Sequence, residues 1–287
     1  PFSLRPDELD IDDWALTLKI ERHSDEGILI EKIVTDFKDK GKSFSIDEII
    51  DAVKKDQTST QKAKDATINM YENIKTWGLF AKEGTPLNDL VVGGQVTVLD
   101  VSIYATMPGG WEIKSLVVGL VSKKLFAQRM VSRREEEFQA VHETTHYFME
   151  DVQKKMTYPM VWLVIDEAHE FMPVTGKTAA SGPLVTILRE GRQPGISLIL
   201  ATQQPGKIHT DVMTQSDTII SHRITAKIDT DALAMLMQSY MRTGLDEYLD
   251  NLPREKGAAI ILDDSNERMY PMRVRPRFTW HGGEAPV

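Results

Sequence analysis

Residues 161–173 read VWLVIDEAHEFMP, and with Met160 they open on the most apolar run of the chain, which stops abruptly at two adjacent carboxylates, Asp166 and Glu167. The run reads as a buried strand. Its acids then sit at the carboxyl end of that strand, where open α/β sheets bind ligands. Burying two neighbouring acids is costly unless a cation or hydrogen bonds offset their charge. In a P-loop enzyme the Mg²⁺ of Mg-ATP does so: Asp166 would hold the metal, directly or through water, and Glu167 would orient and deprotonate the attacking water. A strand that ends in a solvated acidic turn would leave the same pattern.

Downstream, residues 188–205 read LREGRQPGISLILATQQP, with Arg189 and Arg192 at a helix end and then a second apolar strand, 196–202, running into Gln203 and Gln204. A side-chain amide at a strand end is placed to sense a γ-phosphate or its water. Taken separately, the arginines also read as a solvated helix face and the glutamines as a turn.

The same alternation extends along the chain. Residues 95–101 (QVTVLDV) form a short β-branched run. A helix is expected over 111–130 with Ile113, Leu116, Val117, Leu120 and Leu125 inward, and a polar helix over 133–155. After strand 160–165 come a loop at 174–182, a helix to about Arg192 and the strand 196–202. Further strands are expected at 218–224 and 258–262, with a helix at 229–241 between them. Strands alternating with helices indicate a mainly parallel sheet with helices on both faces. Residues 1–90 read instead as helical. Ser45 and Glu48 have the spacing of a capping box ahead of Ile46, Ile49, Ile50 and Val53. A second helix aligns Ala63, Ala66, Met70, Ile74 and Trp77 and stops at Gly78. The organisation expected is a helical insertion over 1–90, an α/β core over 91–265 and an extended tail over 266–287.

With 41% hydrophobic and 27% charged residues, the composition excludes disorder and allows a sizeable core. The absence of cysteine excludes disulfides and thiolate metal sites, and is compatible with the cytoplasm. No apolar run is long enough for a membrane span, and residues 1–13 are acidic where a secretory signal would be basic. A net charge of −9 argues against a surface coated in nucleic-acid-binding charge, while leaving room for DNA held in a narrow channel by a few basic loops.

Four stretches taken in order resemble the HerA/FtsK superfamily of P-loop ATPases, and its HerA branch most: VWLVIDEAHEFMP, LREGRQPGISLILATQQP, DVMTQSDTIISHRIT (211–225) and VRPRFTWHGGEAP (274–286). GQVTVLDVS (94–102) looks like the family's preceding strand. The resemblance implies a RecA-like core, a homo-hexameric ring with ATP sites between subunits, and double-stranded DNA threaded through its pore. It also implies a nuclease partner, with which archaeal members resect DNA ends. Carried over residue by residue, Asp166 and Glu167 fall on the Walker B acids and Gln203 on the polar sensor. Arg189 or Arg192 falls on the arginine given to a neighbouring subunit's nucleotide.

The sequence departs from the family in one large respect: it contains no G-x-x-x-x-G-K-[ST] phosphate loop. Gly41-Lys42-Ser43 has Asp36 where the first glycine belongs, Gly176-Lys177-Thr178 has Phe171, and neither follows a buried strand. The expectation is an incomplete P-loop core whose phosphate loop lies upstream of Pro1, making this segment inactive alone; a degenerate, non-hydrolysing assembly module is the other reading. A related conjugation or packaging motor would share the same motifs. His142-Glu143-Thr144-Thr145-His146 also matches the H-E-x-x-H pattern of zinc proteases, with solvated helix histidines as the plainer reading. For DNA contacts the candidates are Lys177 in the loop 174–182, and Lys207 with His209 in the loop after Gln203. Arg273, Arg275 and Arg277 would equally brace a neighbouring subunit.

Overall fold

A computed structural model describes residues 2–145, 158–235, 245, 247–263, 266 and 268–279, and the chain divides into two compact units, Pro1–Ala201 and Thr202–Val287. The first begins with helices α1 (Ile11–Leu18), α2 (Asp25–Asp39), α3 (Ile46–Lys55) and α4 (Gln61–Lys75), followed by the single turn α5 (Leu87–Leu90). Each of the first four opens on a side chain suited to the orphan N–H groups of a first turn: Asp10, Ser24, Ser45 and Thr60 accept from Asp13, Gly27, Glu48 and Ala63. Such caps contribute about 1 kcal/mol each. The box expected at Ser45 is complete, since the Ser45 N–H donates to Glu48 Oε2 at 2.8 Å.

Along α3 the expected Ile46, Ile49, Ile50 and Val53 are buried. On α4 the buried stripe is Ala63, Thr67, Tyr71 and Ile74, one position round from the Ala66 and Met70 expected. The aromatic core explains the rotation. Tyr71 meets Trp14 edge-on at 5.2 Å, and Trp14 stacks on Phe80 at 5.7 Å, so the large ring of Tyr71 takes the inward place. The chain leaves α4 through Gly78 at φ +63°, and Leu4 and Phe80 then form a parallel bridge.

A single helix, α6 (Gly110–Thr145), replaces the two expected at 111–130 and 133–155, as far as the described residues extend. Its inward Ile113, Leu116, Val117 and Leu120 enter the same core as α1–α4. Phe138, on the later turns of α6, is 67% exposed. Residues 95–101 pair with no strand among the described residues, with Val96 94% and Val98 83% exposed. A β-branched run favours extended backbone, but it becomes a strand only where a ladder partner exists.

The parallel sheet consists of β1 (Val161–Ile165) and β2 (Ile196–Leu200), in register from Val161↔Ile196 to Ile165↔Leu200. Helix α7 (Ser181–Glu190) is the crossover between them. One face, carrying Val161, Leu163 and Leu198, packs on Leu87 of α5, Leu125 of α6 and Ile187 of α7. The other carries Trp162 and Val164, 71% and 63% exposed, so among the described residues helices cover one face where both were expected.

In the second unit, α8 (Thr210–Thr214), β3 (Thr218–His222), α9 (Lys227–Ala234), β4 (Ala258–Asp263) and β5 (Arg268–Arg273) follow in order. The strands expected at 218–224 and 258–262 exist, but they pair antiparallel, β3 with β4 and β4 with β5. The α/β class with a parallel sheet stands, and the parallel character is confined to β1 and β2. The start of the expected tail is strand β5, whose Pro271 is tolerated because it lies on an edge strand. The buried side of this unit is built from Leu233, Leu249, Leu252, Ile260 and Leu262.

Candidate active site

The carboxyl end of β1 is shaped by a reversal of the backbone at Glu167. The Ala201 N–H donates to the Ile165 carbonyl at 2.9 Å, and the Ala168 N–H donates to the Ala201 carbonyl at 2.9 Å, so β1 and β2 stay locked across the turn. Glu167 sits between these two bonds at φ +49°, ψ 44°, in the left-handed region that side chains other than glycine and asparagine seldom occupy. Holding a glutamate there costs on the order of 1–2 kcal/mol. Asp166 is exposed at the strand end and accepts from the Glu167 N–H at 2.9 Å. Glu167 is half-buried, with Oε2 3.5 Å from His169 Nδ1.

The chain then makes a short turn over Ala168–Glu170, whose own polar groups are anchored to neighbouring elements. Lys114 in the first turns of α6 reaches Glu170 at 2.8 Å and lies over the ring of Trp111. The Phe171 carbonyl accepts from the hydroxyls of Thr178 (2.7 Å) and Ser181 (2.9 Å), while the Thr178 N–H donates to Ser181 Oγ at 3.0 Å. Gly176-Lys177-Thr178 is therefore the brace of this loop, with Lys177 exposed on it, and does not cradle a phosphate. Gly41-Lys42-Ser43 lies in the connection between two helices, α2 and α3. Helix α6 approaches the loop closely at Gly119, where a Cβ would stand 2.4 Å from the Ala179 carbonyl oxygen.

Arg189 and Arg192 do not join the acids. Arg189 is on the last turn of α7 and Arg192 in the turn that leads to Ile196, both exposed. Because Ile196 pairs with Val161, these arginines lie at the amino ends of the parallel strands, and Asp166 and Glu167 at the carboxyl ends. Five residues of strand separate the two ends by about 16 Å. Gln203 follows β2 by three residues in sequence and belongs to the second unit, where the exposed Lys207 ends the turn Pro205–Lys207. That turn is tied to α9 by the Gly206 N–H, which donates to Asp229 at 2.9 Å.

Arg129 was not singled out by sequence reasoning. It is 1% exposed, and its guanidinium donates to the Pro194 carbonyl (2.7 Å), the Tyr158 carbonyl (2.6 Å) and Glu136 (3.0 Å). One side chain of α6 thus ties the turn carrying Arg192 to the chain entering β1. Its signal was present: Arg129 lies four residues after Leu125, on the apolar stripe, where an arginine requires partners. The H-E-x-x-H histidines lie outside the residues whose side chains are described.

The family model described as zonular occludens toxin (Zot) matches residues 110–230. A probable DNA double-strand break repair helicase HerA from Methanocaldococcus jannaschii is 29% identical over 172 residues, 56% of this chain and 31% of that protein. The DNA double-strand break repair helicase HerA of Pyrococcus furiosus is 28% identical over 178 residues, 59% of this chain and 31% of that protein. Among solved structures, the genome packaging NTPase B204 from Sulfolobus turreted icosahedral virus 2, in complex with AMPPCP, superposes with a TM-score of 0.39 at 19% identity. It covers 66% of this chain and 73% of that one. The matched segment spans about a third of the length of the HerA relatives. No helix is long and apolar enough to cross a membrane among the described residues. The motif order, the family model and the HerA relatives point the same way: over the matched segment the chain is similar to P-loop ATPases of the HerA/FtsK type.

Proposed function

We propose that the whole protein is an ATP-driven motor on double-stranded DNA, and that this chain supplies the hydrolytic end of its ATP site. The observation that carries the reading is Glu167 held in a left-handed conformation at the carboxyl end of β1, beside Asp166. Strain of this kind persists where the surrounding bonds over-determine it, and it clusters at reacting centres.

In this reading Glu167 accepts a proton from the attacking water and Gln203 senses the γ-phosphate. Asp166 holds Mg²⁺, which supplies charge neutralisation on the phosphate oxygens when bound. The fit is chemical: an exposed carboxylate is a hard oxygen donor suited to Mg²⁺. These 287 residues hold no phosphate loop, so the reading requires one supplied to the site from elsewhere. Arg189 or Arg192 acts on the nucleotide of a neighbouring subunit in a homo-hexameric ring. Their place at the ends of the strands opposite Asp166 and Glu167 supports this. Lys177 and Lys207 are the pore-facing DNA contacts. A role in DNA-end repair with a nuclease partner, in the cytoplasm, completes the proposal, supported by the HerA relatives.

The test is Glu167→Gln in a protein with a complete ATP site. ATP binding is expected to persist while turnover falls by about two orders of magnitude or more, as on loss of a general base. Unchanged turnover would remove Glu167 from the mechanism.

A further inference from the structure

We propose that α3, α4 and the turn between them form a helix-turn-helix face that binds the phosphate backbone of double-stranded DNA, separately from any contact made by the motor's pore loops. Helices α2, α3 and α4 pack against one another around Ile30, Val34, Ile50, Val53 and Ile74, giving the three-helix support on which such a face is presented. The turn at 56–60 is fixed to that support. Asp56 accepts from the N–H groups of Thr58 (3.0 Å) and Ser59 (2.8 Å), and Lys32 of α2 pairs with Asp56 and donates to Thr58 Oγ1 at 2.8 Å.

Charge identifies the partner. Residues 54–64, KKDQTSTQKAK, carry Lys54, Lys55, Lys62 and Lys64 against one acid, Asp56, whose charge Lys32 already meets. The flanking helical segments are acidic, with Asp47, Glu48 and Asp51 before and Asp65 and Glu72 after, and the whole chain has net charge −9. A concentrated positive edge on an acidic protein is a local feature that net charge conceals. Lys55 and Lys62 are exposed and have no ion-pair partner among the described residues. Lys54 is 3.8 Å from Asp51, a loose and exposed pair, and Lys64 reaches the Lys54 carbonyl at 3.5 Å. The amino end of α4, capped by Thr60 at Ala63, directs the positive end of its helix dipole to the same edge, which favours phosphate. Asp65 and Glu72 further along α4 would repel a deeply seated duplex, so the contacts are with phosphates, and sequence is not read.

The reading goes beyond the motor function and does not depend on it, because it concerns nucleotide-free binding by this chain as it stands. The experiment is fluorescence anisotropy of a short labelled DNA duplex titrated with the 287-residue chain across a range of NaCl concentrations. The chain is expected to bind with a marked salt dependence. Replacing Lys54, Lys55, Lys62 and Lys64 together by alanine is expected to lower the log–log salt slope by about 3–4, close to one for each phosphate that no longer meets a lysine. The matching Lys→Arg variant retains binding, which separates removal of charge from loss of fold. A control removing Lys38, Lys40 and Lys42, which precede α3 where the proposed cluster spans its last turn and the first turn of α4, is expected to leave binding nearly unchanged. The proposal is overturned by any of three results: no duplex binding by the parent chain, an unchanged slope in the four-lysine alanine variant, or equal weakening in the control. Competition by a polyglutamate peptide as effective as unlabelled duplex would overturn it too, by assigning the face to an acidic protein.

Discussion

Arg129 offers the sharpest test of how the candidate site is held. Replacing it with methionine keeps most of the side-chain volume on α6 but removes every donor to the Pro194 and Tyr158 carbonyls and to Glu136. Breaking a buried charged network by deleting one partner costs about 3–5 kcal/mol. Glu136 retains 26% exposure and recovers some hydration, so the lower end, about 3 kcal/mol, is expected. For a unit of this size that corresponds to a melting-temperature loss of roughly 6–12 °C. Arg129→Lys should recover about half, because one ammonium cannot fork to both carbonyls as a guanidinium does. Urea unfolding followed by circular dichroism reads the change as a shifted midpoint. A loss below about 1 kcal/mol for Arg129→Met would mean that these bonds do not fasten the Arg192 turn to β1.

Three further outcomes follow from the same structure. Gly119→Ala sets a methyl 2.4 Å from the Ala179 carbonyl oxygen, a backbone atom that cannot step aside, and should destabilise the chain by about 1–3 kcal/mol in the same urea assay. The Lys32 ammonium, with the Ser59 N–H, holds the Asp56 carboxyl well below the usual range. Its stabilisation is therefore present above about pH 4, the unfolded value, and lost as pH falls through the lower folded value. Thermal melts between about pH 5 and pH 2 should show this loss in the parent chain and a shallower one in Asp56→Asn. Calorimetry should detect no micromolar ATP binding by the 287-residue chain, since it lacks the amide cradle and lysine of a phosphate loop.

The parts of the fold set by local chemistry were legible. Ser45 and Glu48 declare their own cap, and the run from Met160 to Ile165 announces β1 with its acids at the carboxyl end. Features that depend on distant partners were not. The stripe on α4 turned because Tyr71 is drawn to Trp14, which lies far earlier in the chain and is invisible to a local periodicity. Residues 95–101 have strand propensity, but propensity supplies no ladder. The antiparallel pairing of β3 with β4 is long-range as well, since an apolar run reads alike in either direction. At the site, the identity of Asp166 and Glu167 was readable, but the left-handed backbone of Glu167 was not, because glutamate carries no sign of it. Arg129 stood on an apolar stripe and could have been found by asking what a charge does there.

If ATP hydrolysis at the end of β1 drives movement along duplex DNA, the whole protein should strip a triplex-forming strand from its duplex. Displacement is measured with ATP and with a non-hydrolysable analogue. It should occur with ATP alone, and vanish in Glu167→Gln while that variant still binds nucleotide. ATP hydrolysis without displacement, or displacement that survives Glu167→Gln, would rule out a motor powered from this site.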